Sequence, residues 1–417
     1  MRKFSAFFAF CLVLACSGLA SAEGFAVYEW GARSTALGGA VTARQPDPSA
    51  VAANPAAITM LKGKQLQLGF SLVMPKGNAS FDDQDYGMDG EYKLRDEYWA
   101  MPSAYYTHEL SDRITLGLGE YTRFGLGMDY PKHWPGRYSI HNVELQTFSV
   151  TPVMGIQVTD NLSVGLGFEA MYLDIMIKKA VDLSPLVPGS PPPSKATDAQ
   201  STLEGDSWGF GGSLSLHYTI DENWAVGLIY RSAVKQKVKG EARFEPPAWA
   251  GSSVVSDAHA NVTLPESVTA GLAWTPNEQW SVEVGATWTR WSRFRYLNIH
   301  IDDLPDSYSK RHWKDAWRFS IGVEYYPVDW VALRAGFIWD QCPVTKANED
   351  YLIPTAHRQI YSLGLGFHLE DWTIDLGYGL LNVNERHYAS RPEDHIYKSS
   401  THRSLSHIAA VSVTYKF

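Results

Sequence analysis

The chain has 417 residues, with 45 acidic against 36 basic side chains and a formal net charge of -9. An acidic balance of this size excludes nucleic acid as a natural partner. The chain is rich in aromatics, with 15 Trp and 22 Tyr, yet past the N-terminus it lacks the run of ~20 apolar residues that a membrane helix needs, so a chain that spans a membrane must do so as a closed barrel.

Residues 1–22 read as a secretory signal. Arg2 and Lys3 give a basic start, Phe4 to Leu14 an apolar stretch, and Ala20-Ser21-Ala22 a small-residue cleavage site. Cleavage removes two of the 36 basic residues, leaving 34 against 45 and a net charge of -11. Cys11 and Cys16 leave with the signal, so Cys342 stands alone and no intrachain disulfide forms.

Residues 23–62 are not strand-like. Gly38-Gly39-Ala40, Pro46-Asp47-Pro48 and Asn54-Pro55-Ala56-Ala57 punctuate an Ala-rich stretch, which predicts short helices and turns. Residues 63–417 then read as hairpins, with about fourteen strands in which short and long connections alternate. Short turns fall near 111–112, 159–161, 221–223, 276–279, 327–329 and 370–371. Longer excursions fall near 76–96, 125–142, 181–205, 245–259, 301–312, 343–358 and 387–402. An outer-membrane barrel sorts its connections this way, with tight turns facing the periplasm and long loops facing outward.

The strands alternate with period two. Trp280, Val282, Val284, Ala286 and Trp288 share one face, and Ser281, Glu283, Gly285, Thr287 and Thr289 the other. Tryptophans open four runs straight after short turns, at Trp224, Trp280, Trp330 and Trp372. Indole is apolar in body and polar at its edge, so a membrane interface selects it at the same end of each strand. The last strand alternates to a terminal Phe417. The predicted fold is all-β: a transmembrane antiparallel barrel of about fourteen strands whose wide lumen must be filled. Residues 23–62 precede the first strand and are the natural plug.

Several segments, in order, resemble the FadL/TodX family of outer-membrane transporters of long-chain fatty acids and other hydrophobic compounds. They include Gly24-Phe25, Ala36-Leu37-Gly38-Gly39-Ala40, Asn54-Pro55-Ala56-Ala57-Ile58-Thr59-Met60, Phe124-Gly125-Leu126 and Gly136-Arg137-Tyr138. Further along come Leu264-Pro265-Glu266, Trp288-Thr289-Arg290-Trp291, Lys314-Asp315-Ala316-Trp317-Arg318 and Asp340-Gln341-Cys342-Pro343. The resemblance implies an N-terminal hatch, capture of ligand by outer loops, and an inner apolar pocket that holds the mature N-terminus. Gly24 and Phe25 match that N-terminus, and Asn54, Pro55 and Ala56 match the hatch motif. Residues 113–125 match a kinked third strand, where Gly117, Gly119 and Gly125 suit a distortion. No energy source or cofactor is implied. The partners implied are a long-chain fatty acid or another hydrophobic small molecule, and the lipid and lipopolysaccharide around a monomer.

The strand from Leu162 bears on the ligand. Its odd positions turn apolar at Met171, Leu173, Ile175 and Ile177 and end at Lys179. An apolar lumenal patch capped by a cation suits an amphipathic acid, with tail burial contributing ~0.8 kcal/mol per CH₂. Lys179 matches a basic residue that contacts the carboxylate in fatty-acid members of the family, and Lys310 or Arg311 a second. The loop at 181–205, with Leu183, Leu186 and Val187, offers an outer capture surface or a proline-stiffened spacer. Other readings are a channel for neutral aromatic or aliphatic hydrocarbons, a general porin, and an outer-membrane lipase or deacylase with a Ser–His pair. No nucleophile motif and no Cys/His cluster with metal spacing occurs along the chain.

Overall fold

The computed structural model describes residues 24–189 and 192–417. The signal expected over residues 1–22 lies outside them, as do Ser190 and Pro191 of the proline-rich loop. The described chain forms a closed antiparallel barrel of 14 strands. They are β1 (Lys64–Asp83), β2 (Trp99–Ser111), β3 (Ile114–Tyr121, resumed as Gly125–Asp129), β4 (Asn142–Gln157) and β5 (Leu162–Asp182). Then come β6 (Asp198–Thr219), β7 (Trp224–Arg231, resumed as Val234–Glu245), β8 (Val254–Leu264, resumed as Ser267–Asn277) and β9 (Trp280–Thr289). Last are β10 (Ala316–Val328), β11 (Val331–Asp340), β12 (Arg358–Leu369), β13 (Trp372–Val383) and β14 (Ser399–Lys416). β14 returns to β1 from Gln65↔Lys416 to Phe81↔Ser399, so the sheet has no open edge there.

Closure satisfies the backbone in lipid, and the side chains follow. Leu68, Phe70, Phe210, Leu214, Phe319 and Leu363 stand exposed on the outer wall. Their neighbours in sequence point inward and are small or polar. Trp224, Trp280, Trp330 and Trp372 are exposed at the short-turn end, and Trp280 stacks on Tyr325 with centroids 4.3 Å apart. The alternation reads as apolar outside and polar inside, as a membrane barrel requires.

Residues 24–62 fill the lumen. They carry two short helices, α1 (Ala32–Ala36) and α2 (Ala50–Ala53), and a 3₁₀ turn over Pro55–Met60. Pro55 opens that turn, and the Asn54 side chain caps it by accepting from the Ala56 N–H at 3.1 Å. The barrel admits this insert because its inner wall carries glycine where the hatch backbone touches. A Cβ at Gly227 would lie 2.1 Å from the Thr42 carbonyl oxygen, and one at Gly377 2.4 Å from that of Ala32. Only glycine allows so close an approach of two backbones.

The outer ends of several strands continue into packed loops. A hairpin of Tyr296–Ile301 and Ser307–Lys310 leaves β9 and pairs back onto the outer part of β8. Met88–Lys93 pairs with the outer end of β1.

Candidate functional site

The hatch body is held by buried charge. Arg33 donates to both carboxylate oxygens of Glu324 on β10, at 3.0 and 2.8 Å. Arg334 on β11 shares Glu324 at 2.7 Å and also pairs with Asp375 on β13. Glu283 on β9 accepts from the backbone N–H groups of Thr42, Ala43 and Arg44 at 2.7, 3.1 and 2.9 Å. Asn54 donates to the Thr42 carbonyl at 2.8 Å and to that of Leu216 on β6 at 3.1 Å, so its amide joins hatch to wall. His217 binds the Ala43 carbonyl at 2.8 Å. Removing one member of such a buried set strands its partners, at a cost of about 3–5 kcal/mol.

The segment before the hatch helices is held differently. Phe25 is buried among Phe124, Trp291, Phe294 and Trp313, with ring centroids 4.8 to 6.2 Å away. Gly24 adopts φ +57°, and a Cβ there would lie 2.7 Å from the Trp291 ring. The cage is assembled from the break in β3 and from the two chain segments that flank the 296–310 hairpin. The indole N–H groups of Trp291 and Trp313 are buried with no hydrogen-bond partner among the described residues.

The backbone ties this segment to the wall. β3 is interrupted at Thr122-Arg123-Phe124. Below the break it pairs with β2 up to Ala104↔Glu120; above it, Gly125–Asp129 pairs with β4 alone. The Val27 N–H donates to the Arg123 carbonyl at 2.8 Å, and the Gly125 N–H to the Phe25 carbonyl at 3.0 Å. Residues 25–27 thus occupy the strand edge that β2 leaves free, and unpaired backbone there would cost free energy. The broken backbone finds other partners too: Thr147 Oγ1 bonds both the N–H and the carbonyl of Phe124 at 2.9 Å, and the Trp30 indole donates to the Thr122 carbonyl at 3.0 Å.

Between β2 and the upper part of β3 lies a cavity of about 160 Å³, lined by Ala26, Val27, Trp99, Met101, Gly125 and Gly127, among others. Trp99 lies across Gly127 so closely that a Cβ on the glycine would fall 2.1 Å from the indole. A second apolar cavity of about 50 Å³ is bordered by Ile175, Ile177, Val238, Ala260, Leu297 and Ile299. Neither reaches the ~300 Å³ that ligand pockets begin at.

Above the cage, aromatic residues from several loops close the outer mouth. Tyr130 stacks on Trp134 at 3.9 Å, and Tyr351 packs against Trp134 at 5.0 Å. Trp134, Tyr130 and Tyr351 are fully buried. One apolar cluster runs from Phe25 through Met171 and Leu173 to this cap.

Met171, Leu173 and Ile177 are buried on the inner face and Ile175 is partly buried beside them. The pairing of β5 with β6 is unbroken from Leu162↔Tyr218 to Asp182↔Asp198. Past Ile177 the buried position passes to Ala180, and Lys179 is only half-buried. Lys179 stands about 56 Å along the strand from Leu162 at ~3.3 Å per residue, which is about 40 Å of height at a 45° tilt and lies beyond the ~25 Å apolar band. Burial lowers the pKa of its ammonium. Burial and the Lys179 charge together hold His395 of the outer loop below its ordinary value. Lys310 is exposed at the end of the hairpin, while Arg311 is buried and ion-paired with Asp350. Its Nε has no hydrogen-bond partner among the described residues.

Gly125 lies at the break in β3. Gly117 and Gly119 lie in its regular part, where an added Cβ would strike Val51 of α2 at 2.7 Å. At these two positions a small inward-facing residue makes room for the hatch, while Gly125 borders the break. Sequence reading did not single out Glu283, Glu324, Trp99, Trp291 or Trp313. Glu283 carries a signal in hindsight, as an acid on a face otherwise small and neutral, while Glu324 shares its face with Arg318.

A family model described as Outer membrane protein transport protein (OMPP1/FadL/TodX) matches residues 13–417. The chain is similar to the long-chain fatty acid transport protein of Salmonella typhi, 26% identical over 373 residues, covering 83% of this chain and 85% of that one. Among solved structures it is similar to a FadL homologue of Pseudomonas aeruginosa, with TM-score 0.83 and 21% identity over 95% of this chain and 100% of that one. It is also similar to the toluene transporter TodX of Pseudomonas putida, with TM-score 0.75 and 20% identity over 95% and 100%. At these identities the two structures bear on the fold alone.

Proposed function

The chain belongs to the OMPP1/FadL/TodX family of outer membrane transport proteins, and from that premise we propose that it carries long-chain fatty acids passively across the outer membrane. The observation that supports an acid is the apolar wall of Met171, Leu173 and Ile177 on β5, continuous with the Phe25 cage and followed by Lys179. Among the described residues no carboxylate pairs with the half-buried Lys179, whose pKa burial lowers, so a ligand carboxylate would supply that partner. Arg311 is a second buried cation of the outer loops, and Asp350 holds it until a ligand competes.

The ligand is captured by the outer loops and moves into the cluster beneath the cap. Its tail displaces Phe25 from the cage. Once residues 25–27 leave the edge of β3, the wall beside Trp99 opens and the tail passes sideways into lipid. No step requires an energy source, because each exchanges one apolar contact for another. The protein acts as a monomer set in lipid and lipopolysaccharide. A second reading, neutral aromatic hydrocarbons, is favoured by the cage itself, whose Phe and Trp lining carries no formal charge.

Binding of oleate and toluene to purified wild type, Lys179→Ala and Arg311→Met separates the two. For oleate, loss of a charged hydrogen-bond partner weakens binding about tenfold or more; toluene binding is unchanged. Equal effects on both compounds, or no effect on either, reject the carboxylate assignment and leave the hydrocarbon reading.

A further inference from the structure

Outside the transport route, at the outer rim, two histidines and an aspartate from separate chain segments converge. His259 on the outer part of β8 is the cross-strand partner of His300 on the 296–310 hairpin. Their rings lie 4.7 Å apart. Asp302 follows at the hairpin tip. One ligand atom from each of His259, His300 and Asp302 can be chosen so that all lie within 4.8 Å of one another, and all three residues are exposed.

The surroundings of His300 give the cluster a direction. Its Nδ1 lies 2.8 Å from the Asp306 carboxylate, while its Nε2 lies 3.8 Å from the Asp302 carboxylate. The first distance is a hydrogen bond and the second is too long to be one. A proton held on Nδ1 by Asp306 leaves the Nε2 lone pair facing Asp302 and His259. A carboxylate behind one ring nitrogen, with the other free, is how proteins orient and strengthen a metal-binding imidazole. The tip is anchored too: the Asp302 N–H donates to the Asp257 carbonyl at 3.1 Å, and the Asp303 N–H to Ser256 Oγ at 3.0 Å.

We propose that His259, His300 and Asp302 form an external site for a borderline divalent cation, of which Zn²⁺ is the type, with Asp306 positioning His300. Two imidazoles and one carboxylate suit Zn²⁺ and its neighbours rather than Ca²⁺ or Mg²⁺, which take oxygen donors. Bonds of ~2.0–2.1 Å hold tetrahedral ligands about 3.3 Å apart, so exposed side chains need move only slightly to close on the ion. Water fills the fourth position. The ion staples the 296–310 hairpin to β8. That hairpin leaves the barrel between Phe294 and Trp313, so the staple braces the two segments that build the Phe25 cage. Spacing along the chain could not reveal the cluster, because its ligands meet only through strand pairing.

The test uses full-length protein in detergent, freed of metal by chelator, with Zn²⁺ in calorimetry and Co²⁺ in visible absorption. One equivalent binds with micromolar affinity, and Co²⁺ gives the intense bands of a tetrahedral site. Asp306→Asn weakens binding about tenfold to a hundredfold, as loss of the carboxylate behind a metal-binding imidazole does, and His259→Ala and His300→Ala weaken it further. The substituted side chains are exposed, and unaltered heat-modifiable migration certifies a folded barrel. Zn²⁺ binding no tighter than millimolar, or affinity indifferent to both histidine substitutions, overturns the site. Neither result bears on transport.

Discussion

Residues 32–60 meet the barrel through buried carboxylates, arginines and backbone hydrogen bonds, whereas residues 24–27 meet it through aromatic rings and two backbone hydrogen bonds. Both segments fill one lumen and lie four residues apart in sequence. The polar contacts are geometric and cooperative, and losing one leaves charges stranded in a dry interior. The aromatic contacts are interchangeable with those of any apolar molecule of similar size. A plug built wholly of the first kind would never yield to a hydrophobic ligand. One built wholly of the second would yield to many and let water follow. On the proposed route, that division would let the N-terminal segment give way while the hatch body keeps the bore closed.

The largest effect should come from breaking the polar region. Glu324→Ala takes from Arg33 its two-point carboxylate and leaves Arg334 with Asp375 alone, a loss of about 3–5 kcal/mol for a broken buried pair. The hatch body should loosen and the barrel stay intact, since no ladder hydrogen bond is touched. Single-channel conductance in planar bilayers should rise well above that of wild type, with Glu324→Gln intermediate. Wild-type conductance in both variants would mean that the glycine-lined backbone contacts suffice to hold the hatch.

A smaller and opposite effect should come from the aromatic region. Phe25→Ala removes a buried ring worth about 3–5 kcal/mol. On the proposed route that ring occupies the space a ligand takes. Apparent affinity scales with the fraction of molecules whose site is free, so binding of a hydrophobic ligand to purified protein should tighten, by about tenfold to a hundredfold. Conductance should stay at the wild-type level. A conductance rise like that of Glu324→Ala would show that the two regions are not independent. Weaker ligand binding would show that Phe25 contacts the ligand rather than competing with it.

The same contrast explains what was legible in the sequence. Period-two alternation and sorted turn lengths are local signals, so the barrel and its girdle of Trp224, Trp280, Trp330 and Trp372 could be read directly. The hatch could be read as an insert from its Gly and Pro punctuation. Its anchoring could not, because Arg33 and Glu324 lie 291 positions apart in sequence and only closure of the barrel joins them. Gly117 and Gly119 were legible as small inward residues, but their reason, Val51 of α2, sits in another segment. Lys179 illustrates the limit of parity. Alternation holds through Ile177, past the end of the apolar band, and beyond it the packing of the loops decides facing, so Ala180 rather than Lys179 takes the next buried position. Arg311 and Lys310 are adjacent and equal in charge, and only the packing of the loops buries one and exposes the other.

The smallest effect should come from Trp99, where the aromatic region meets the wall. Trp99 shares its backbone ladder with Val73 on β1, and its indole covers Gly127 on β3. If the indole is a shutter over the sideways route, Trp99→Ala should speed cellular uptake of a bulky hydrophobic compound by about two- to fivefold, an increment of ~0.4–1 kcal/mol in barrier. Affinity in detergent should not change, because the cage is intact. Gly127→Ala sharpens the comparison. Its methyl must push the indole aside, so a shutter predicts the same direction for both substitutions although one removes bulk and the other adds it. A mere space-filler predicts opposite results, with faster uptake in the first and none or slower in the second. Unchanged uptake in both variants would place the exit elsewhere, and would leave the unpaired edge of β3 as a feature of hatch docking alone.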